Sequence, residues 1–290
     1  MYPILFTIPG LDFPIKAFGL TVVIGFLLGT NVYDRLVARY ASGAVEKRAA
    51  FSAVPIWVLV GVLIGARLLY VVVETLQGSS VGQAFLAQPW KVIAYWEGGL
   101  VMYGGAAGAI VGGLWCAARH GLPLGVVLAL GIVGAYVGLC IGRLGCLLVG
   151  DDYGRIVPPA FADAPFPLVI HVPDPLPAGS LFGEENSGQT LWATQVWMSL
   201  NALGLALLGA RHLRHRRWAG QTGVLVLLGY SITRGLIECF RGDAVRGLWF
   251  GGLLSTSQII SIALGLTCLV VLLKNRSRDE RPLPAPVRAG

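Results

Sequence analysis

The chain is 290 residues long, 55% hydrophobic and only 13% charged, with a mean hydropathy of +0.71 and a formal net charge of +7. A water-soluble domain is about a quarter charged, so this composition excludes a soluble globular protein and implies an integral membrane protein. The positive excess does not point to nucleic acid, because the basic residues sit in short clusters between apolar runs, as topology signals do. The five cysteines (Cys116, Cys140, Cys146, Cys239 and Cys268) lie in or beside those runs with no CxxC pair. They read as small buried hydrophobes rather than a disulfide frame or zinc site, and neither a metal nor a cofactor is expected. The first fifteen residues lack a basic n-region, so the first apolar run reads as a retained span.

A helix needs about twenty mostly apolar residues to cross a bilayer, and seven runs qualify, roughly 16–37, 51–76, 99–119, 124–148, 191–210, 221–240 and 253–273. The predicted fold is therefore all-α, a bundle of about seven transmembrane helices over residues 1–274. The first outer stretch, 1–14, is rich in proline and aromatic residues and is predicted to lie along the interface. Between spans one and two come Arg35, Arg39, Lys47 and Arg48, and between spans three and four Arg119. Between spans five and six come Arg211, Arg214, Arg216 and Arg217, and after span seven Lys274, Arg276, Arg278, Arg281 and Arg288. The opposite side holds only Lys16, Lys91, Arg155, Arg241 and Arg246. The positive-inside rule then puts the N-terminus outside and the C-terminus in the cytoplasm. On the outer side, Tyr95-Trp96-Glu97 reads as an aromatic anchor, and residues 150–190, rich in proline and glycine, as a small irregular or short-stranded extracytoplasmic cap. Residues 275–290 read as a disordered basic cytoplasmic tail.

Three arginines, Arg67, Arg143 and Arg234, fall inside predicted spans. An arginine in a bilayer core costs a few kcal/mol or more, so each is a functional candidate. Arg143 sits in Gly142-Arg-Leu-Gly-Cys-Leu-Leu-Val-Gly-Asp-Asp-Tyr-Gly-Arg155, a cation beside glycine-spaced backbone at the membrane boundary, which suits a lipid phosphate. Arg234, Glu238 and Arg241 are spaced i, i+4, i+7, so one helix face carries plus, minus, plus. Glu238 either neutralises a structural arginine or orients both arginines toward a phosphodiester, which a guanidinium fork suits better than an ammonium. Of the pair Asp151 and Asp152, Asp152 reads as part of a solvated turn. Gly104, Gly108 and Gly112 have GxxxG spacing, best explained for Gly108 and Gly112 by helix packing. Tyr103 between glycine pairs is either a belt tyrosine or an accessible phenol. Thr194 and Ser255 to Ser257 open spans as N-caps, and Gln195 and Gln258 are within reach of headgroups. None of His120, His171, His212 and His215 is placed for a histidine-centred site.

In this order, the opening of span three (Gly98 to Gly105) and the Gly142 to Arg155 signature resemble the bacterial phosphatidylglycerol–prolipoprotein diacylglyceryl transferase family. So do Thr194-Gln195, Gly229-Tyr230 with Arg234, Glu238 and Phe240-Arg241, and Ser257-Gln258-Ile-Ile-Ser261. The resemblance covers nearly the whole chain. It implies a multi-pass enzyme of the bacterial inner membrane that moves an sn-1,2-diacylglyceryl group from phosphatidylglycerol to a lipobox cysteine thiol of a prolipoprotein. A thioether forms and glycerol phosphate leaves. It assigns Tyr103, Arg143, Arg234 and Glu238 to catalysis, and Arg143, Arg234, Arg241, Asp151, Gly145 and Gln195 to the lipid phosphate and headgroup. The implied partners are phosphatidylglycerol, prolipoprotein signal peptides and the bilayer, not nucleic acid. The chain departs from the family's usual histidine at Tyr103, asparagine at Cys146, glutamate at Asp151 and His-Pro-Ser-Gln element at Trp192 to Gln195. It also has Phe18 where the family's first WYG-like motif is followed by tyrosine. A free phenol titrates near 10, so Tyr103 would need a lowered pKa to act as a base. Lipid carried covalently on Cys146 is an alternative within the same reaction. Outside it stand a non-catalytic or altered-substrate lipid-binding homologue and a small-molecule transporter, although no inverted halves are visible.

Overall fold

The computed structural model describes residues 1–8, 10, 13–41, 47–95, 98–242 and 247–280. Trp96 and Glu97 of the aromatic anchor, Arg246, and the tail from Arg281 onward lie outside the described residues. Among the described residues, eight α-helices account for most of the chain: α1 (Ala17–Tyr40), α2 (Arg48–Leu76), α3 (Ser80–Ala87), α4 (Met102–Arg119), α5 (Leu124–Val149), α6 (Thr194–His212), α7 (Gln221–Glu238) and α8 (Thr256–Lys274). Of these, α1, α2, α5 and α8 are long and apolar enough to cross a membrane. The other three long helices are diluted by glycine or by buried polar residues, such as Thr194, Gln195 and Ser199 on α6 and Thr222, Ser231, Arg234 and Glu238 on α7. Leu27, Ile56, Ile110, Val111, Leu207 and Leu208 are exposed on the helix surfaces. Lipid is the solvent that suits them.

Three antiparallel strand pairs complete the architecture: β1 (Ile4–Ile8) with β2 (Phe13–Lys16), β3 (Val169–His171) with β4 (Thr190–Trp192), and β5 (Leu248–Trp249) with β6 (Leu254–Ser255). The first pair is the local structure of the stretch 1–14 that is expected to lie along the interface. Its alternation of isoleucine, phenylalanine and proline suits a short hairpin better than a helix, because proline withdraws a helical donor. The short helix α3 was not predicted. Its N-cap Ser79 accepts a hydrogen bond from the Gly82 N–H at 3.0 Å.

The chain divides into two compact units. The smaller, Val37–Val127, is built on α2 against α4. A Cβ on Gly108 would sit 2.0 Å from the carbonyl oxygen of Gly61, and one on Gly112 would sit 2.2 Å from that of Trp57. Glycine is therefore what allows this crossing, as GxxxG packing requires where lipid removes the hydrophobic drive between helices. The same unit buries Arg67, 2% exposed. Its Nε donates to Val92 O at 2.9 Å, Nη1 to Gly98 O and to Gly99 O at 3.1 Å, and Nη2 to Lys91 O at 2.6 Å and Ala94 O at 3.0 Å.

The larger unit, Met1–Leu36 with Leu128–Gly290, holds most of α1 and α5, all of α6, α7 and α8, and the segment from Gly150 to Thr190. That segment folds over Ile170, Val172, Phe182, Leu191, Ala193 and Val196, a cluster of buried side chains. Burying a large aliphatic or phenyl group from water contributes roughly 1.5–3 kcal/mol, so this cluster is enough to organise a mostly irregular segment.

Candidate active site

The site begins where α5 stops. Gly150 takes φ +80° and ends the helix, its N–H and that of Asp151 both donating to Cys146 O at 2.9 Å. Asp152 follows at φ +55°, a left-handed conformation that aspartate tolerates better than most residues. The first turn of α6 holds this bend in place. Thr194 Oγ1 donates to Asp152 O at 2.9 Å, and Gln195 Nε2 donates to Asp151 O at 3.0 Å. Residues 153–155 then run antiparallel to 240–242, with Arg155 N–H donating to Phe240 O at 2.9 Å and Gly242 N–H to Tyr153 O at 3.1 Å. A Cβ on Gly154 would lie 2.4 Å from the carbonyl oxygen of Trp192, so the signature needs glycine there. These contacts bind the end of α5 to the start of α6 and the end of α7.

The stitching assembles a chain of alternating charge. Arg143 Nη1 pairs with Asp152 Oδ2, and the other oxygen, Oδ1, lies 2.5 Å from Arg241 Nη2. Arg241 Nε is 3.9 Å from Glu238 Oε2, which also pairs with Arg234 Nη1. Arg234 Nη2 donates to Ser257 Oγ on α8 at 3.1 Å. Arg143, Arg234, Arg241 and Glu238 are all buried, and Asp152 is the most open member of the chain, with 18% of its side chain exposed. Burial pushes the Asp152 carboxyl upward, but the Arg143 and Arg241 charges outweigh it and hold the group below the usual carboxylate range.

Among the described residues this network brings three guanidiniums, from Arg143, Arg241 and Arg234, onto the carboxylates of Asp152 and Glu238. Guanidinium forks fixed away from water bind phosphate oxygens through charge-assisted hydrogen bonds, so the arrangement suits a phosphodiester. Two acceptors, Glu238 Oε1 and Gln195 Oε1, are buried without a hydrogen-bond partner among the described residues. Cys146 Sγ and the carboxylates of Asp151 and Asp152 also gather within 4.8 Å, a donor set that a metal would use. Both Asp152 oxygens already face guanidiniums, so a cation there would meet two positive charges.

The structure brings together Arg143, Arg234, Glu238 and Arg241. Asp152, expected to be part of a solvated turn, instead sits between Arg143 and Arg241. Asp151 is exposed at the rim, where its Oδ1 accepts from the Asp152 N–H at 2.9 Å. Alternation along the sequence could not show this, because the left-handed turn at Asp152 redirects the side chain. Gly145 packs on α1, where a Cβ would lie 2.0 Å from Thr21 Oγ1. Gln195 is fully buried and holds the Asp151 turn. Thr194 serves the same turn rather than capping α6, whereas Ser255 and Gln258 form a capping box on α8. Tyr103 belongs to the smaller unit, on the first turn of α4, and is 39% exposed. Ser257 was quoted in a motif, but its contact with Arg234 depends on the α7–α8 packing and had no signal of its own.

Comparison with known proteins agrees with this site. The sequence profile of the family described as prolipoprotein diacylglyceryl transferase matches residues 3–274. The chain is 32% identical to phosphatidylglycerol–prolipoprotein diacylglyceryl transferase from Rhodospirillum rubrum over 94% of its length and 92% of the relative's. It is 29% identical to the protein of that name from Gloeobacter violaceus, over 93% of each chain. With Geobacter sulfurreducens the identity is 28%, over 94% of this chain and 96% of the relative. A profile match over nearly every residue, joined to a buried arginine network at the ends of the helices, shows that the chain belongs to the prolipoprotein diacylglyceryl transferase family.

Proposed function

We propose that this enzyme transfers the sn-1,2-diacylglyceryl group of phosphatidylglycerol to the lipobox cysteine thiol of a prolipoprotein. The substrate thiolate attacks the glyceryl carbon, a C–S bond forms, and the C–O bond to the phosphate breaks. The phosphodiester monoanion becomes glycerol phosphate, whose phosphomonoester approaches two negative charges. Charge therefore grows on the leaving phosphate as the reaction proceeds. Fixed guanidiniums in a water-poor site stabilise that growth without reorganising, and one such donor contributes roughly 10²–10³ in rate. Arg143 and Arg234 hold the phosphate, with Arg241 and Glu238 setting their positions. The thiol proton passes to a base, for which Tyr103 is the candidate. The nearby positive charge also favours the thiolate over the thiol.

The observation that carries this reading is the convergence of three buried arginines in the Arg143–Asp152–Arg241–Glu238–Arg234 chain. A groove of about 440 Å³ along α7 and α8 supports it. The groove is mostly apolar and runs from Leu269 to Gln258, next to Ser257, which suits an acyl chain. The orphan acceptors of Glu238 and Gln195 suit hydroxyl donors of a glycerol headgroup.

On this reading all seven long helices cross the bacterial inner membrane, with the N-terminus outside, the C-terminus cytoplasmic and the segment 150–190 as an outer cap. The cluster of basic residues beyond α6 and α8 supports that orientation. The test is complementation of a bacterium depleted of its own transferase. A reporter prolipoprotein that gains a diacylglyceryl mass on its lipobox cysteine supports the proposal, and an unmodified reporter beside a correctly inserted enzyme and its native prolipoproteins refutes it.

A further inference from the structure

Asp152 has no place in the chemistry above, yet it is the best-anchored side chain of the network. Its backbone is fixed by Thr194 and by the carboxylate of Asp151, and each of its oxygens meets a different buried arginine. Its effect is on charge. Without its carboxylate, the surroundings of Arg143 and Arg241 would be more positive by one unit of charge. The substrate is a phosphodiester monoanion and the product a phosphomonoester dianion, so this difference discriminates between them. We propose that Asp152 is a specificity-determining residue that tunes the site to the diester and against the monoester, and so speeds departure of glycerol phosphate. The inference rests on the phosphate-binding role given to Arg143, Arg234 and Arg241.

The groups facing Asp152 are Arg143 and Cys146 from α5, Arg241 from beyond α7, and Asp151 beside it. Arg234 and Glu238 stand one link further away. Asp151 is exposed, so water screens its charge and it contributes less to the discrimination.

The test is equilibrium binding of two soluble probes, glycerophosphoglycerol (a diester monoanion) and glycerol phosphate (a monoester), to the full-length enzyme in nanodiscs free of phosphatidylglycerol. The wild type should favour the diester at pH 8. D152N should shift the monoester-to-diester affinity ratio toward the monoester by about tenfold, as expected for one charge at partly screened contact. D152E should restore the wild-type ratio, and D151N should shift it less. A structural brace would instead lower both affinities together in D152N with the ratio unchanged, and that result overturns the inference.

Should D152N fail to fold, the wild type decides alone. Glycerol phosphate is a monoanion below its second ionisation near pH 6, so its wild-type affinity should fall as pH rises from about 5.5 to 8. A rise in affinity over that range overturns the inference. Arg143→Ala separates the two levels of the argument. If it binds the diester as the wild type does, the phosphate clamp itself is wrong. If binding needs Arg143 but ignores Asp152, only the present inference falls.

Discussion

Arg67 and Arg143 are both buried arginines on apolar helices, and they are solvated in opposite ways. Arg67 gives all five guanidinium N–H groups to five backbone carbonyls, and the rings of Tyr70, Phe85 and Tyr95 surround it at 5.4–5.7 Å. Among the described residues, dipoles and ring faces satisfy the charge, so every donor is committed and the residue acts as a clamp on Lys91, Val92, Ala94, Gly98 and Gly99. Arg143 is instead solvated by a carboxylate that it shares with Arg241, and Arg234 by a carboxylate with one orphan oxygen. A site held by full charges responds to an incoming charge, whereas one held by carbonyls responds only by unfolding. Burial alone therefore does not mark an arginine as functional. The nature of its partners does.

The sharpest way to break this comparison is to remove one arginine of each kind. Arg143→Ala or Arg234→Ala should lower transfer by about a thousandfold or more, while membrane insertion and thermal stability change comparatively little. Mass analysis of a reporter prolipoprotein measures the first effect and detergent-solution melting the second. Arg67→Ala should behave in reverse. It strands five carbonyls, which should cost about 3–5 kcal/mol of stability, while the folded fraction keeps most of its turnover.

A smaller effect concerns packing. Gly108→Leu pushes a side chain into the Gly61 carbonyl and should lower stability by about 1–3 kcal/mol, read by melting. Gly204→Ala on α6 meets nothing within 4 Å and should be neutral or slightly stabilising.

Protonation gives a finer test. The folded pKa of Asp152 is depressed, so its pairing contributes stability above its unfolded value near 3.9, and that contribution is lost as pH falls through the folded value. That contribution should accordingly be constant from neutral pH down to about 4, and the loss of stability on further acidification should be blunted in D152N. The smallest effect is expected for Cys146→Ser. Its sulfur lies 3.9 Å from Arg143 Nη1, but the nucleophile belongs to the substrate, so activity should stay within a few-fold. Loss of transfer in this variant would revive the covalent carrier.

Much of this molecule was legible in the sequence, for stated reasons. Long apolar runs ended by glycine or by basic clusters placed all seven long helices within a few residues, because hydropathy and helix termination are local properties. The Arg234–Glu238 pair was legible because i, i+4 spacing on a helix fixes neighbours. The Gly108 and Gly112 ladder was legible because close helix crossing requires small residues. Three features were not. Asp152 was read as solvated because a left-handed turn, pinned by Thr194 and Gln195 far along the chain, turns it inward. The carbonyl cage of Arg67 depends on the path of a loop with no regular period. The strand pairing of the N-terminal stretch was not legible because hydropathy alone does not give the local structure of a short aromatic and proline-rich segment.

The most direct test of the central claim is the mass of a reporter prolipoprotein after incubation with the purified enzyme in phosphatidylglycerol vesicles, wild type beside Arg143→Ala and Arg234→Ala. We expect a diacylglyceryl adduct on the lipobox cysteine and one glycerol phosphate per adduct with the wild type, and neither with either variant. An adduct formed at near wild-type rate by either arginine variant would contradict the account.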